Sequence, residues 1–174
     1  MQTFVMNDLL VLVDENDIEV GVMEKMEAHR RGILHRAFSV FIFTEKGQML
    51  LQKRASTKYH SGGLWTNTCC SHPRPDEDLL MAAKRRLQEE MGLSCDLNHS
   101  FSFVYKCELD NDLQEHELDH VFIGVTNETP TLNLDEVEDF RYISEQELKK
   151  EIADAPHLFT EWFKIALPKL SLMK

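Results

Sequence analysis

Basic residues are scarce in this chain: 19 lysines and arginines stand against 30 aspartates and glutamates, a formal net charge of −11. A nucleic-acid-binding surface needs an excess of Lys and Arg, so that class is excluded, and an anionic ligand must find a local positive pocket. Long apolar runs are missing too. None approaches the length of a membrane span, and the opening residues MQTFVMNDLL lack the charged and apolar regions of a signal peptide. A cytoplasmic protein without membrane insertion is expected. The four cysteines, Cys69, Cys70, Cys95 and Cys107, form no CxxC pair, which argues against a zinc knuckle and against a disulfide framework. Cys95, Cys107 and one of the adjacent pair read as packing, since neighbours in extended backbone face opposite ways. There is no Pro/Gly/Ser-rich linker, internal repeat or low-complexity tract. The 174 residues, 43% of them hydrophobic, are therefore expected to form a single domain, 1–174, around one core.

What the chain does have is concentrated between Trp65 and Gly92, WTNTCCSHPRPDEDLLMAAKRRLQEEMG. An aromatic, an amide, thiols and an imidazole precede the turn at Pro73 and Pro75, and a helix follows. Leu79, Leu80, Ala83, Leu87 and Met91 recur at helical spacing and predict one buried stripe. Asp76, Glu77 and Asp78 are expected in the first turn, where the helix dipole favours acids, and Gly92 is expected to end the helix. Arg86 and Glu90 lie four apart and point the same way, with Arg85 and Glu89 beside them. On periodicity alone this is an ordinary ion-pair ladder.

Elsewhere, Leu9 to Val13 and Val20 to Met23 around Asp14–Asp17 read as a hairpin. Arg36 to Phe43 reads as a strand buried on both faces, turning at Thr44–Gly47 into Gln48 to Lys53. Phe101 to Leu109 is a strand with Phe101, Phe103 and Tyr105 on one side, followed by a turn at Asp110–Asp112. If Glu115 to Val125 is one strand, its period of two puts Glu115 and Glu117 on one face, about 7 Å apart along the backbone. Phe140 to Ile143 reads as a last strand, and Ser144 with Glu147 as a capping box for a helix to Ile152. A closing helix over Pro156 to Leu167 carries Phe159, Trp162 and Phe163 in its apolar stripe.

Counted from Ser71, the pattern Ser71, five residues, Glu77, seven residues, Arg85-Arg86-Leu87-Gln88-Glu89-Glu90-Met91-Gly92-Leu93 resembles the Nudix box. It departs in having Ser71 for Gly and Arg86 for the first Glu of the family's metal cluster. A cation in that position weakens multi-metal hydrolysis and adds a charge-assisted phosphate donor. Together with Thr66-Asn67 and Cys70-Ser71-His72-Pro73, the altered box resembles that of the type I isopentenyl-diphosphate isomerases, Nudix-fold enzymes that do not hydrolyse.

That resemblance implies an α/β fold, a Nudix-type α/β/α sandwich with a mixed central sheet. It also implies a 1,3-proton shift between isopentenyl and dimethylallyl diphosphate. By residue it implies Cys70 and Glu117 as the acid/base pair, Tyr105 assisting, and Trp162, with Trp65 as a second candidate, beside the carbocation. Lys25, Arg54, Lys58 and Arg86 would grip the diphosphate. His29, His35, His72, Glu115 and Glu117 would hold Mn2+, Mg2+ or Zn2+, and Glu90 would bind a Mg2+ that accompanies the diphosphate. The His29 to His35 spacing is slightly shorter than in some members. Histidines 60, 99, 116, 120 and 157 carry no assigned role. The only partner implied is a small isoprenoid diphosphate, with the oligomeric state, monomer or homodimer, left open. The rival readings are a Nudix pyrophosphohydrolase acting on a nucleoside diphosphate derivative, which would not need Cys70, and a silent diphosphate- or metal-binding module. A flavin-dependent isomerase barrel needs about 250 residues and is excluded by length.

Overall fold

The structure, a computed structural model, describes residues 8–171. Residues 1–7, read above for a signal peptide, lie outside that range. In chain order the first elements are β1 (Leu9–Val13), β2 (Glu19–Glu24), α1 (Lys25–Arg31), β3 (His35–Phe43), β4 (Met49–Arg54), β5 (Trp65–Thr66), β6 (Cys69–Ser71) and α2 (Leu79–Met91). They are followed by β7 (Leu97–Glu108), β8 (Gln114–Val125), β9 (Val137–Ile143), α3 (Glu145–Asp154) and α4 (Glu161–Ser171).

The mixed sheet is organised on β3. Along one edge β3 runs parallel to β8, from His35 opposite Glu117 to Phe43 opposite Val125. Along the other it meets three antiparallel partners in succession: β1 at His35, β6 at Phe38 to Val40, and β4 at Ile42 and Phe43. Such a strand has no solvent-facing side, which is why its sequence HRAFSVFIF does not alternate between apolar and polar. Phe38, Val40 and Ile42 pack with Ala82, Ala83, Leu87 and Met91 of α2. Phe41 packs on the opposite face with Leu148 of α3 and Phe163, Ala166 and Leu170 of α4. Helices therefore cover both faces of the sheet, as the α/β/α expectation requires. The vicinal cysteines split the same way, Cys69 into the α2-side core and Cys70 toward the α4 side.

Helix α2 starts later than its acidic run suggests. Asp78 is the N-cap, its carboxylate accepting the Met81 N–H at 3.0 Å, so the three acids precede the first turn rather than fill it. Glu77 is used otherwise, accepting the Arg74 N–H at 2.8 Å and the Arg85 guanidinium at 2.6 Å, which closes the turn onto the helix. The Ser144/Glu147 capping box is present. The closing helix is not continuous from Pro156: residues Pro156–Leu158 form a 3-10 turn, Phe159 is extended, and α4 begins at Glu161. Proline suits the first position of a helical turn but not its continuation backwards, and the break buries Phe159.

Gly92 ends α2 with φ 64°, and a Cβ there would lie 2.7 Å from the Thr131 carbonyl oxygen. Gly92→Ala should therefore cost at least about 1 kcal/mol. Urea unfolding measures this, and an unchanged midpoint would contradict the account of how α2 is terminated.

Candidate active site

Strand pairing assembles the first part of the site. With β7 antiparallel to β8, Tyr105 lies opposite Glu117 and Cys107 opposite Glu115; with β3 parallel to β8, His35 also lies opposite Glu117. Glu115, Glu117 and Asp119 are all buried. Tyr105 Oη stands 2.6 Å from Glu115 Oε2 and 2.7 Å from Glu117 Oε2. A phenol has one proton to give, so both contacts are hydrogen bonds only when one of the two carboxyls carries a proton. Burial and the charge of Glu117 push the Glu115 carboxyl well above the usual carboxylate range. Glu117 goes the other way: burial opposes its charge, but His35 and His72 hold it well below that range. Asp119, bonded by Ser39 Oγ at 2.7 Å, is raised by burial and by Glu117.

Three histidines then converge from three elements. Glu24 caps α1 by accepting the Met26 and Glu27 N–H groups at 2.9 and 2.8 Å, and Gly32 ends it at φ 61°. This fixes His29 in the last turn, with Nδ1 2.7 Å from the Lys25 carbonyl oxygen. His35, at the start of β3, has Nδ1 2.8 Å from the Ile33 carbonyl oxygen. A carbonyl only accepts, so both rings carry a proton on Nδ1, and the neutral form of each has its lone pair on Nε2. Both Nε2 atoms are buried and without a hydrogen-bond partner among the described residues. His72, just beyond β6, approaches Glu117 Oε1 at 2.9 Å through Nε2. The ring centroids of His29, His35 and His72 lie 5.1 to 5.9 Å apart.

His35 Nε2 and Glu117 Oε1 are 3.4 Å apart. A bare Nε2 lone pair facing a carboxylate oxygen is unfavourable unless a proton or a metal cation sits between them. An unsatisfied buried polar atom costs on the order of 1–3 kcal/mol, and here two are held in place by deliberate hydrogen bonds behind them. Ligand atoms of His29, His35, His72 and Glu117 fall within 4.8 Å of one another, and three imidazole nitrogens with a carboxylate suit a divalent ion. Glu115 falls into a second such set, with His29 and His60.

Above this floor is a cavity of about 360 Å³. Cys70, Tyr105, Glu117 and Trp162 line it, as do all four expected anion-binding residues, Lys25, Arg54, Lys58 and Arg86, together with His72, Glu90 and Glu115. His29 and His35 are not among the lining residues. Arg86 bonds Glu90 at 2.6 Å and Glu136 at 3.2 Å, Glu136 also takes the Lys58 ammonium, and Gln52 bonds Glu90 at 2.9 Å. Burial, then Lys58 and Arg86, lowers Lys25 to about 8. Burial pushes the Cys70 thiol upward, against the pull of Arg54, and so keeps its proton on. Arg54 also lies over the Trp162 ring, 5.2 Å from its centroid.

Trp65 does not line the cavity; its ring is covered by Arg141 at 4.5 Å and packs in the α4-side core. Sequence reasoning missed Tyr59 and His60, both lining residues, the first under the Lys25 ammonium at 4.5 Å. Their lone signal was adjacency to Lys58. Asp119 was missed too, although the period that links Glu115 to Glu117 reaches it.

The NUDIX domain family model matches residues 33–163. The chain is 54% identical over 161 residues to an isopentenyl-diphosphate Delta-isomerase of Pectobacterium atrosepticum, covering 92% of this chain and 90% of the relative. It is 52% identical over 166 residues to isopentenyl-diphosphate Delta-isomerase 2 of Photorhabdus laumondii, with 95% and 94% covered. Among solved structures, a MutT protein of Methanosarcina mazei superposes with a TM-score of 0.66 at 18% identity, over 79% of this chain and 93% of that one. A Deinococcus radiodurans protein does so at 0.69 and 18% identity, over 84% and 89%.

Because Lys25 binds an anion only as the ammonium and its proton leaves near 8 in the free protein, affinity for inorganic diphosphate should fall as pH rises through that value. Calorimetric titration from about pH 7 to about pH 9 should show a loss of roughly tenfold. In Lys25→Met this part of the loss should vanish. Equal pH dependence in both proteins would contradict the role given to Lys25.

Proposed function

The chain belongs to the Nudix superfamily and, within it, to the isopentenyl-diphosphate Delta-isomerases, and on that footing we propose the following division of labour for the interconversion of isopentenyl and dimethylallyl diphosphate. The observation that carries it is that the Cys70 thiol, the Glu117 carboxyl and the side chains of Lys25, Arg54, Lys58 and Arg86 line one cavity; burial favours the neutral thiol.

The substrate has a charged head and an unactivated alkene tail, and the two need opposite surroundings. Lys25, Arg54, Lys58 and Arg86 take the diphosphate, the guanidinium groups by forked, charge-assisted bonds. Glu90, held by Arg86 and Gln52, offers a carboxylate to a Mg2+ that arrives with the diphosphate. Arg86 stands where a hydrolytic Nudix box keeps a carboxylate, which favours gripping the diphosphate over cleaving it.

At the other end, Cys70 has a proton to give and Glu117 has room to receive one. Strand β3 lies between the two strands that carry them. Transfer to one alkene carbon and removal from another move the double bond, and the reverse direction uses the same pair with the roles exchanged. Tyr105 holds the Glu117 carboxylate at 2.7 Å and fixes which oxygen faces the substrate. Trp162 presents an electron-rich face to the cation formed between the two transfers, and the buried setting keeps water from trapping it. A divalent ion, Mn2+, Mg2+ or Zn2+, held by His29, His35, His72 and Glu117 with Glu115 near by, would supply a fixed positive charge that tunes the carboxylate. The four free thiols suit a reducing compartment such as the cytoplasm.

Incubation with isopentenyl diphosphate and Mg2+ in deuterated water should yield dimethylallyl diphosphate carrying solvent deuterium. Release of phosphate or pyrophosphate in its place would point to hydrolysis and overturn the reading. Cys70→Ala and Glu117→Gln should each lower turnover by roughly 10²–10⁴-fold while inorganic diphosphate still binds. Near-normal turnover in either purified variant removes that residue from the pair.

A further inference from the structure

His60 has no motif around it, yet it is enclosed as fully as the histidines of the metal centre, with 2% of its surface exposed. Its ring lies 6.0 Å from that of His29 and, edge-on, 5.8 Å from Trp162. The main chain around it is pinned. Arg54 donates to the His60 carbonyl oxygen at 3.1 Å, and the Ser61 N–H donates to Asp110 at 3.2 Å. Ser61 takes a left-handed φ of 53°, a conformation that a side chain disfavours, and its Oγ stands 3.1 Å from His60 Nδ1.

The placement is like that of His29 and His35, except that Ser61 Oγ, unlike a carbonyl oxygen, can donate or accept. An oxygen backs Nδ1, and Nε2 is turned toward a carboxylate, 3.3 Å from Glu115 Oε1. Glu115 Oε2 is already occupied by Tyr105, which leaves Oε1 as the oxygen that faces His60. Ligands about 2.1 Å from one ion and in adjacent positions stand roughly 3 Å apart, a spacing that this pair matches. Donor atoms of His29, His60 and Glu115 all lie within 4.8 Å of one another, and His29 Nε2 is the buried atom that lacks a hydrogen-bond partner.

The geometry points to His60 as a further ligand of the divalent ion, forming with His29 and Glu115 a second position beside the one bounded by His35, His72 and Glu117. The two positions share His29 Nε2 and so hold one ion between them, not two. This rests on the reading of His29, His35, His72 and Glu117 as a metal site.

The test is cobalt substitution. Wild type, His60→Gln and His60→Asn are loaded with Co2+; affinity is measured by chelator competition and the visible ligand-field bands are recorded, with circular dichroism and melting as the check on folding. Loss of His60 should weaken Co2+ binding by about tenfold or more and shift the bands. Unchanged affinity and bands would overturn the inference, as would weaker binding with unchanged bands, since His60 would then be an outer partner only. If both variants fold poorly, anomalous diffraction from wild-type crystals grown with Co2+ decides. A peak at bonding distance from His60 Nε2 supports ligation, and a peak confined to His35, His72 and Glu117 excludes it. Failure of the wild type to bind Co2+ at all would remove the whole centre, and the two failures are thereby told apart.

Discussion

The site depends on two hydrogen bonds that never touch substrate. The carbonyl oxygens of Lys25 and Ile33 take the Nδ1 protons of His29 and His35 and so aim two bare lone pairs into a buried space beside Glu117. Each carbonyl is placed by local structure, one inside a short helix capped by Glu24 and ended by Gly32, the other at the entry to β3. Backbone geometry therefore sets the tautomer, and the tautomer sets what can bind. The arrangement is unfavourable in isolation, which is the physical reason to read it as a cation site rather than as a cluster of satisfied core histidines. A divalent charge there would also favour the carboxylate form of Glu115, against the burial and the Glu117 charge that otherwise favour its proton.

For the proposed reaction, the rest of the cavity must separate charge from hydrocarbon. Arg86 and Lys58 are linked through Glu136, which holds both cations in place. Arg54 touches both regions, its guanidinium lying over the Trp162 ring while it also bonds the His60 carbonyl. The box helix α2 serves this purpose in altered form: Arg86 and Glu90 sit one turn apart on its polar face, as an ion-pair ladder would, but Glu90 is buried and carries a second bond from Gln52. A solvated ladder would leave it exposed.

Much of this was legible in residue order. The unbroken apolar run at Arg36–Phe43, the helical stripe from Leu79 to Met91 and the Ser144/Glu147 box each follow from short-range rules, and each is present. The resemblance to the Nudix isomerases named Cys70, Glu117 and the anion-binding cations, which no periodicity could. What stayed hidden depends on contacts between distant segments. His60 was left without a role because nothing in KYHSGG indicates that β8 and α4 would close over it. The acids before α2 were placed one turn too late because side-chain capping by Asp78 and the Glu77–Arg85 pair compete with the dipole argument. Asp119 was missed for a similar reason: its hydrogen-bond partner, Ser39, is on the neighbouring strand, eighty residues away.

Nitrogen-15 NMR of the imidazole rings addresses the pre-aimed lone pairs most directly. In protein without added metal, His29 and His35 should be the Nδ1–H tautomer, and their Nε2 resonances should move on addition of Zn2+ while the Nδ1 protons stay. Rings protonated at Nε2, or Nε2 resonances indifferent to the ion, would contradict the account.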